Sequence, residues 1–430
     1  MPRDLKRLDP PAPVREIVAR LERAGFETWA VGGAVRDALL GQEHLDWDLA
    51  TAATPKDIQR TFKRTVPVGI EFGTVGVLDE HGTLHEVTTF RHDVKTDGRH
   101  AVVEFGASLD EDLARRDFTV NAIAYHPQRE EFRDPFDGKL DLQRGLVRAV
   151  GDADTRMRED RLRALRAIRF ASRFTFHIEP ATWQAVVASA PHLTRLSPER
   201  VKQELEKTMQ QVPLPSIALE WWRESGALGT LIPALADAPA ERFEAIDQLP
   251  LVKGPESVGR TLDRLSLLFF GGDPKAAAHT TKALRFSNAD AAWIGAMCEQ
   301  RAASGEAMDA SIRDGSPNDA TVRRWVANIG RTKTPTFFTL WAALWRARLS
   351  QAPDAALGDR VDEVVTRAST IAYRDPISLD DLALDGDDLR AAGVAPGPEM
   401  GKSLKRLLDA VVADPSLNTR DALMRLLNEE

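Results

Sequence analysis

Polar and apolar positions divide this chain into two unlike regions. Apolar residues recur at helical spacing from Val14 to about Ala24, where Gly25 stops them, behind a lead holding Pro2, Pro10, Pro11 and Pro13. From Thr28 to Val150 the spacing shortens. Alternation is visible in Thr74-Val75-Gly76-Val77-Leu78 and in Leu84-His85-Glu86-Val87-Thr88-Thr89-Phe90, with Asp79-Glu80-His81-Gly82 as the turn between. That pattern predicts an antiparallel hairpin. Beyond Gly151 strand signals almost vanish, and apolar positions fall at helical intervals between Pro, Gly and Ser. The prediction is an α+β protein: an N-terminal head on an antiparallel sheet, then an all-helical remainder. Breaks are expected near 210–215, where Pro213 and Pro215 fall, and near 303–318, whose Ala, Ser, Gly, Asp and Pro have a linker's composition.

A length of 430 residues implies two to four domains. No run of eighteen apolar residues occurs, so no membrane span is expected. The opening Met1-Pro2-Arg3-Asp4-Leu5 lacks the apolar stretch of a secretory signal, and the cytoplasm is the expected compartment. The single cysteine, Cys298, excludes an internal disulfide or a cysteine metal site and reads as a small core residue. The net charge of −8 argues at first against a nucleic-acid partner. Its distribution removes the objection. Residues 351–430 hold nine Lys and Arg against sixteen Asp and Glu, nearly the whole excess, whereas residues 156–173 hold seven arginines against two acids. Local basic stretches decide contact with a polyanion.

The candidate chemistry starts at Gly32-Gly33-Ala34-Val35-Arg36-Asp37, followed nine residues after Asp37 by Asp46-Trp47-Asp48. On a strand, Asp46 and Asp48 share a face. Two glycines after the apolar Trp29-Ala30-Val31 suit a strand-to-helix turn whose bare amides can approach phosphate. A carboxylate pair holding a divalent ion beside an anion cradle is what nucleotide transfer needs. Glu86, an acid in a strand of Leu, Val, Thr and Phe, is a third carboxylate if its strand lies beside that of Asp46 and Asp48. Arg115-Arg116-Asp117 precedes a helix-like Phe118–Ala124, with Asp117 as N-cap candidate. There a guanidinium and the Asn121 amide can meet a nucleotide's sugar and phosphates, with Asp117 placing Arg116.

The run Glu159-Asp160-Arg161-Leu162-Arg163-Ala164-Leu165-Arg166-Ala167-Ile168-Arg169 reads as one helix with Asp160 and Arg163 side by side. An acceptor beside a donor complements the Watson–Crick edges of cytosine and adenine, each an amino group next to a bare ring nitrogen. Guanine and uracil present a ring N–H and a carbonyl and would face like with like. A buried unsatisfied group costs about 1–3 kcal/mol, and a hydrogen-bonding site can reject a misfit by up to roughly 10⁴–10⁵-fold.

In this order the segments resemble the class II tRNA nucleotidyltransferases and their relatives, the bacterial poly(A) polymerases. The resemblance is dense from about Trp29 to Lys207 and is carried by V-G-G-A-V-R-D, D-W-D-L-A-T, E-V-T-T-F-R, R-R-D-F-T-V-N-A-I-A, E-D-R-L-R-A-L-R-A-I-R-F-A and S-P-E-R-V-K-Q-E-L-E-K. It implies a head over 1–150, a base-reading neck over 151–212, a body over 213–310 and a tRNA-holding tail over 311–430. It gives Gly33 and Arg36 to the triphosphate and Asp46 and Asp48 to Mg²⁺. Arg116 and Asp117 go to the sugar and phosphates, Asp160 and Arg163 to the incoming base, and Arg166 and Arg169 to phosphate and support. Ser197–Lys207 becomes a mainly structural helix, with Ser197 as N-cap and Pro198 at its first position.

The activity so implied is addition of CCA to the tRNA 3′ end from CTP and ATP. The loop from Arg91 to Phe105, with Asp93, Lys95, Asp97, Arg99 and His100 around the pivot Gly98, is close to full length for the family and favours completion through the final adenosine. Poly(A) polymerase, a CC-only or A-only enzyme and a non-catalytic RNA-binding protein stay as alternatives. No H…HD…D pattern follows the apolar run at Leu265–Phe270, so no phosphohydrolase activity is expected. Lys402, Lys405 and Arg406 form the candidate RNA-facing patch of the acidic tail. Nothing in the residues fixes an oligomeric state; a monomer is the expectation.

Overall fold

The computed structural model describes residues 7–42, 46–96 and 101–428, with the backbone alone for residues 92–96 and 101–104. Two compact units emerge, one formed by 1–208 with 217–233 and the other by 209–216 with 234–430.

The first unit opens on α1 (Ala12–Arg23), which buries Val14, Ile17, Val18 and Leu21 and ends before Gly25, at φ +91°. Its strands are β1 (Thr28–Val31), β2 (Asp48–Thr51), β3 (Thr65–Gly69), β4 (Thr74–Leu78), β5 (Leu84–Thr89), β6 (Arg91–Thr96), β7 (Ala101–Phe105), β8 (Ala124–His126) and β9 (Glu131–Arg133). Seven of them form a sheet in the order β3-β4-β5-β2-β1-β8-β9. The predicted β4–β5 hairpin is present and antiparallel. The sheet is not purely antiparallel as predicted, because β2 runs parallel to β5 and makes it mixed. A parallel neighbour needs a long crossover, which α3 (Pro55–Thr61), β3 and β4 supply. The loop expected at Arg91–Phe105 contains a separate β6–β7 ribbon. Asp97, Gly98, Arg99 and His100 lie outside the described residues.

Between the strands run α2 (Gly33–Leu39), α4 (Leu109–Ala114) and α5 (Gly138–Arg144). Trp29, Val31, Phe90, Leu113, Ala122 and Val150 share one buried cluster beneath the sheet. After it come β10 (Leu146–Val147), α6 (Ala153–Glu159), α7 (Leu162–Phe174), β11 (His177–Ile178), α8 (Pro180–Ser189) and α9 (Pro198–Gln211). Two sequence expectations fail here. Phe118–Ala124 is a single 3₁₀ turn, Thr119–Asn121, running into β8, so Asp117 caps no α-helix. The run 159–169 is not one helix, since Asp160 stands between α6 and α7 with extended backbone at φ −147°. Its own Oδ1 accepts the Leu162 N–H at 3.0 Å, a local bond that competes with continuing the helix.

The remaining helices are α10 (Pro215–Glu224), α11 (Ala227–Leu231), α12 (Ala240–Asp247), α13 (Glu256–Phe269), α14 (Pro274–Ala283), α15 (Asn288–Asp314), α16 (Asp319–Ile329), α17 (Thr334–Gln351), α18 (Ala355–Arg374), α19 (Gly386–Ala391), α20 (Pro398–Ala413) and α21 (Arg420–Asn428). In the second unit, the fully buried Arg264 of α13 donates to the carbonyls of Met209, Val212 and Leu249 at 2.7–2.9 Å, tying down the 210–215 break. Burial pushes its guanidinium down to about 10. The linker expected at 303–318 is mostly helix. α15 continues to Asp314, buries Gly305, Met308, Asp309 and Ile312, and leaves only a short turn before α16. Alanine-rich composition with an apolar face favours helix over coil. Cys298 is wholly buried in α15, and burial pushes its thiol up to about 12. No described helix is long and apolar enough to cross a membrane.

Candidate active site

Sheet register assembles the site. Val31, the last residue of β1, pairs with Asp48, the first of β2, which sets the Gly32-Gly33 turn beside the carboxylate. Leu49 pairs with Val87 in the parallel β2–β5 ladder, and one step back brings Asp48 beside Glu86. Trp47 is buried between the exposed Asp46 and Asp48, the predicted alternation. The three carboxylates therefore open on one face. Among the described residues none of them is ion-paired. Asp48 keeps solvent access, yet the protein packed around it, followed by the charges of Asp46 and Glu86, raises its carboxyl to about 6 against the opposing pull of Arg116.

Gly32 is buried at φ +73° and ψ −131°, a conformation open to glycine. A Cβ there would lie 2.7 Å from Nη1 of Arg116. The Gly32 N–H donates to the Ile123 carbonyl at 3.3 Å, and Arg116 Nη1 donates to the Asn121 carbonyl at 3.4 Å. Thus the glycine turn, Arg116 and Asn121 meet. Gly33 follows as the partly exposed first residue of α2.

Arg116 is placed differently from the sequence expectation. Its partner is Asp112, at 3.1 Å, and Asp112 also takes Arg115 at 2.7 Å. The i,i+3 and i,i+4 spacing from α4 was the sequence signal for this fork. Asp117 instead holds Arg166 of α7 at 2.7 Å and accepts from the Phe118 N–H and the Asn121 amide. Burial alone would raise the Asp117 carboxyl; Arg166 and these hydrogen bonds outweigh it and hold it at about 2.

Arg36 is 4% exposed and lies over the rings of Phe170 and Phe174, at 5.0 and 4.8 Å from their centroids. It donates to Asp37 at 2.6 Å and to the Asn121 side-chain oxygen, so it braces the head against α7. Arg169 is likewise buried, in an ion pair with Glu204 of α9. Glu204, Asp112 and the Phe170/Phe174 pair were not singled out by the sequence reading.

Asp160 and Arg163 share the α6–α7 junction, where the Arg163 N–H donates to the Asp160 carbonyl at 3.0 Å, but their side chains turn to different partners. Asp160 Oδ2 takes Arg200 at 2.7 Å. Arg163 donates to Glu159 at 2.6 Å and to the carbonyls of Arg156 and Arg115 at 3.0 and 3.1 Å.

For a metal, Asp46 and Asp48 offer hard oxygen donors that repel each other. Among the described residues no three His, Cys, Asp or Glu side chains stand close enough to cage an ion. Magnesium in general is held through one or two carboxylates, with water and substrate phosphate completing the shell, and Asp46 and Asp48 are the residues that would hold it. A mixed sheet presenting open carboxylates next to a glycine turn and arginines is the arrangement nucleotidyl transfer needs.

Family models agree in the same order along the chain. The Poly A polymerase head domain matches residues 28–148, the RNA and SrmB-binding site of polymerase A residues 175–238, and tRNA nucleotidyltransferase domain 2 residues 326–427. The CCA-adding enzyme of Leuconostoc mesenteroides is 35% identical over 420 residues, 96% of this chain and 95% of that protein. That of Lactiplantibacillus plantarum is 36% identical over 418 residues, 95% of this chain and 94% of that protein. The crystal structure of the Bacillus stearothermophilus CCA-adding enzyme in complex with CTP superposes with a TM-score of 0.74 at 30% identity, covering 97% of this chain and 96% of that one. The chain belongs to the tRNA nucleotidyltransferase and poly(A) polymerase family that contains the CCA-adding enzymes.

Proposed function

We propose that this chain builds the 3′-terminal CCA of tRNA from CTP and ATP, acting in the cytoplasm with Mg²⁺ as cofactor. The observation that carries the chemistry is the convergence of Asp46, Asp48 and Glu86 on one open face, charged against one another. The tRNA 3′-oxygen attacks the α-phosphate of the nucleotide; the bond to the β-phosphate's bridging oxygen breaks, pyrophosphate leaves, and the hydroxyl proton passes to solvent. Magnesium held by Asp46 and Asp48 supplies charge neutralisation at the triphosphate and acidity at the attacking hydroxyl. Glu86 supports that pair electrostatically. Gly32 and Gly33 let the backbone approach the phosphates, and Arg116 adds positive charge beside them. Asp117, through Arg166, and Asn121, through Arg36, keep the arginines in place for the sugar and phosphates. Arg169 is a support, since its guanidinium is committed to Glu204. Asp160 accepts from the amino group of cytosine or adenine and Arg163 donates to the ring nitrogen.

The division into head (1–150), neck (151–212), body and tail goes with this reading. In it the body spans 213–310 and the tail 311–430. In the tail, Lys402 and Lys405 are both exposed, Lys402 in a surface pair with Glu399 at 2.8 Å, and Arg406 donates to the Leu426 carbonyl at 3.0 Å.

Asp46→Ala tests the reading: magnesium-dependent pyrophosphate release is lost while the Kd for tRNA is unchanged. Retained release, or loss of tRNA binding with turnover intact, refutes it.

A further inference from the structure

We propose that Arg200 is a positioning residue for base choice, holding Asp160 away from Arg163 so that both stay available to the incoming nucleotide; the inference rests on the base-reading role given to that pair. Three residues apart at the start of a helix, a lone aspartate and arginine are natural partners. Closed on each other, they would turn their acceptor and donor edges toward one another rather than side by side toward a base.

The structure gives each its own anchor instead. Asp160 Oδ2 takes Arg200 Nη2 at 2.7 Å, and Oδ1 takes the Leu162 N–H at 3.0 Å. A carboxylate has about four lone-pair sites, so two anchored bonds fix its plane and still leave acceptors for an exocyclic amino group. Arg163 is pinned separately by Glu159 at 2.6 Å and by the carbonyls of Arg156 and Arg115 at 3.0 and 3.1 Å. Its remaining N–H groups are the donors a ring nitrogen needs.

Arg200 is itself held in place. Ser197 Oγ accepts its backbone N–H at 3.4 Å in the first turn of α9, and one turn on Glu204 takes Arg169 of α7 in a buried pair. One helix thus fixes a cation against Asp160 and an anion against Arg169. The Arg200, Asp160 and Arg163 side chains are 31%, 25% and 11% exposed, so the carboxylate is open to a nucleotide and the guanidinium meets it along one edge. In this arrangement the helix that the sequence reading took as mainly structural acts on selectivity.

The experiment compares wild type with Arg200→Met, which keeps the stem and removes the donors, on tRNA transcripts ending before CCA and after CC. Each of the four NTPs is supplied singly, and melting temperatures are recorded. Loss of one charge-assisted anchor is expected to lower the CTP-over-UTP and ATP-over-GTP ratios of kcat/KM by about tenfold or more. The change is carried chiefly by higher KM for CTP and ATP, with kcat within about threefold. Unchanged ratios in a folded variant overturn the proposal. So does a parallel loss with all four nucleotides that tracks a lower Tm, the mark of a purely structural role. If Arg200→Met does not fold, Arg200→Gln, neutral but still hydrogen-bonding, is expected to lower both ratios about threefold or more; unchanged ratios there overturn it equally. The wild-type lanes separate the two claims. A wild type that does not prefer C and A refutes the functional reading, whereas a selective wild type with a selective Arg200→Met refutes only the role of Arg200.

Discussion

Asp46→Asn is expected to make the metal-free protein more stable at pH 7.5 while removing most of its stabilisation by magnesium. Asp48 titrates near 6 in the fold because burial, Asp46 and Glu86 all disfavour its charge. The folded form therefore holds that proton more tightly than the unfolded chain. The resulting contribution to stability is full below about pH 4, the ordinary aspartate value, and is lost as pH rises through about 6. Two pKa units correspond to about 3 kcal/mol, but burial is the largest cause and persists in the variant, so relief of the Asp46 charge, screened by solvent, is worth about 1 kcal/mol. For a unit of the head's size that is roughly 2–4 °C in melting temperature. Magnesium, which takes the ionised form, should raise the Tm at pH 7.5 well above its effect at pH 5. The assay is thermal denaturation of wild type and Asp46→Asn at both pH values, with and without MgCl₂. A magnesium increment independent of pH, or one that survives in Asp46→Asn, refutes the assignment of the carboxylates as a cation clamp.

Gly32→Ala forces a side chain into a positive-φ conformation and against Arg116 Nη1. It should cost about 1–3 kcal/mol of stability and lower kcat/KM by tenfold or more, read by denaturant titration and nucleotide addition. Arg169→Met leaves Glu204 buried without its cation, and the expected loss is about 3–5 kcal/mol, checked by urea unfolding. Glu204→Leu combined with it should recover a large part of that loss. Cys298, buried with its thiol pushed up to about 12, should resist alkylation at pH 8 until the protein is unfolded, as mass spectrometry after iodoacetamide would report.

The head's logic was legible because it is local. Alternating residues predicted the β4–β5 hairpin, and the Gly-Gly turn with Asp46 and Asp48 stood within seventeen residues of sequence. That Glu86 joins them follows from a parallel β2–β5 ladder, which alternation within one strand cannot announce. The same limit explains two of the arginines. Composition marked Arg116, Arg163, Arg166 and Arg169 as candidates; Arg116 and Arg163 pair locally at i,i+4 with Asp112 and Glu159, whereas Arg166 and Arg169 answer to acids chosen by the fold, Asp117 and Glu204. Asp117 lies next to Arg116 in sequence and binds Arg166, forty-nine residues away. Helical spacing predicts Asp160 inside one helix with Arg163, whereas its carboxylate takes the Leu162 N–H and Arg200, contacts that go with the break between α6 and α7. The linker misread at 303–318 shows the converse. Small polar residues suggest a loop, yet alanine propensity and one buried face keep α15 continuous to Asp314.

The most direct measurement supplies tRNA transcripts ending before CCA, after C and after CC with each labelled NTP in the presence of magnesium. CCA addition predicts that CTP extends the first by two nucleotides and the second by one. ATP should extend only the third, by one, and UTP and GTP should give no ladder. Long adenylate tracts on any of the three, or addition that stops at CC with ATP present, would contradict it.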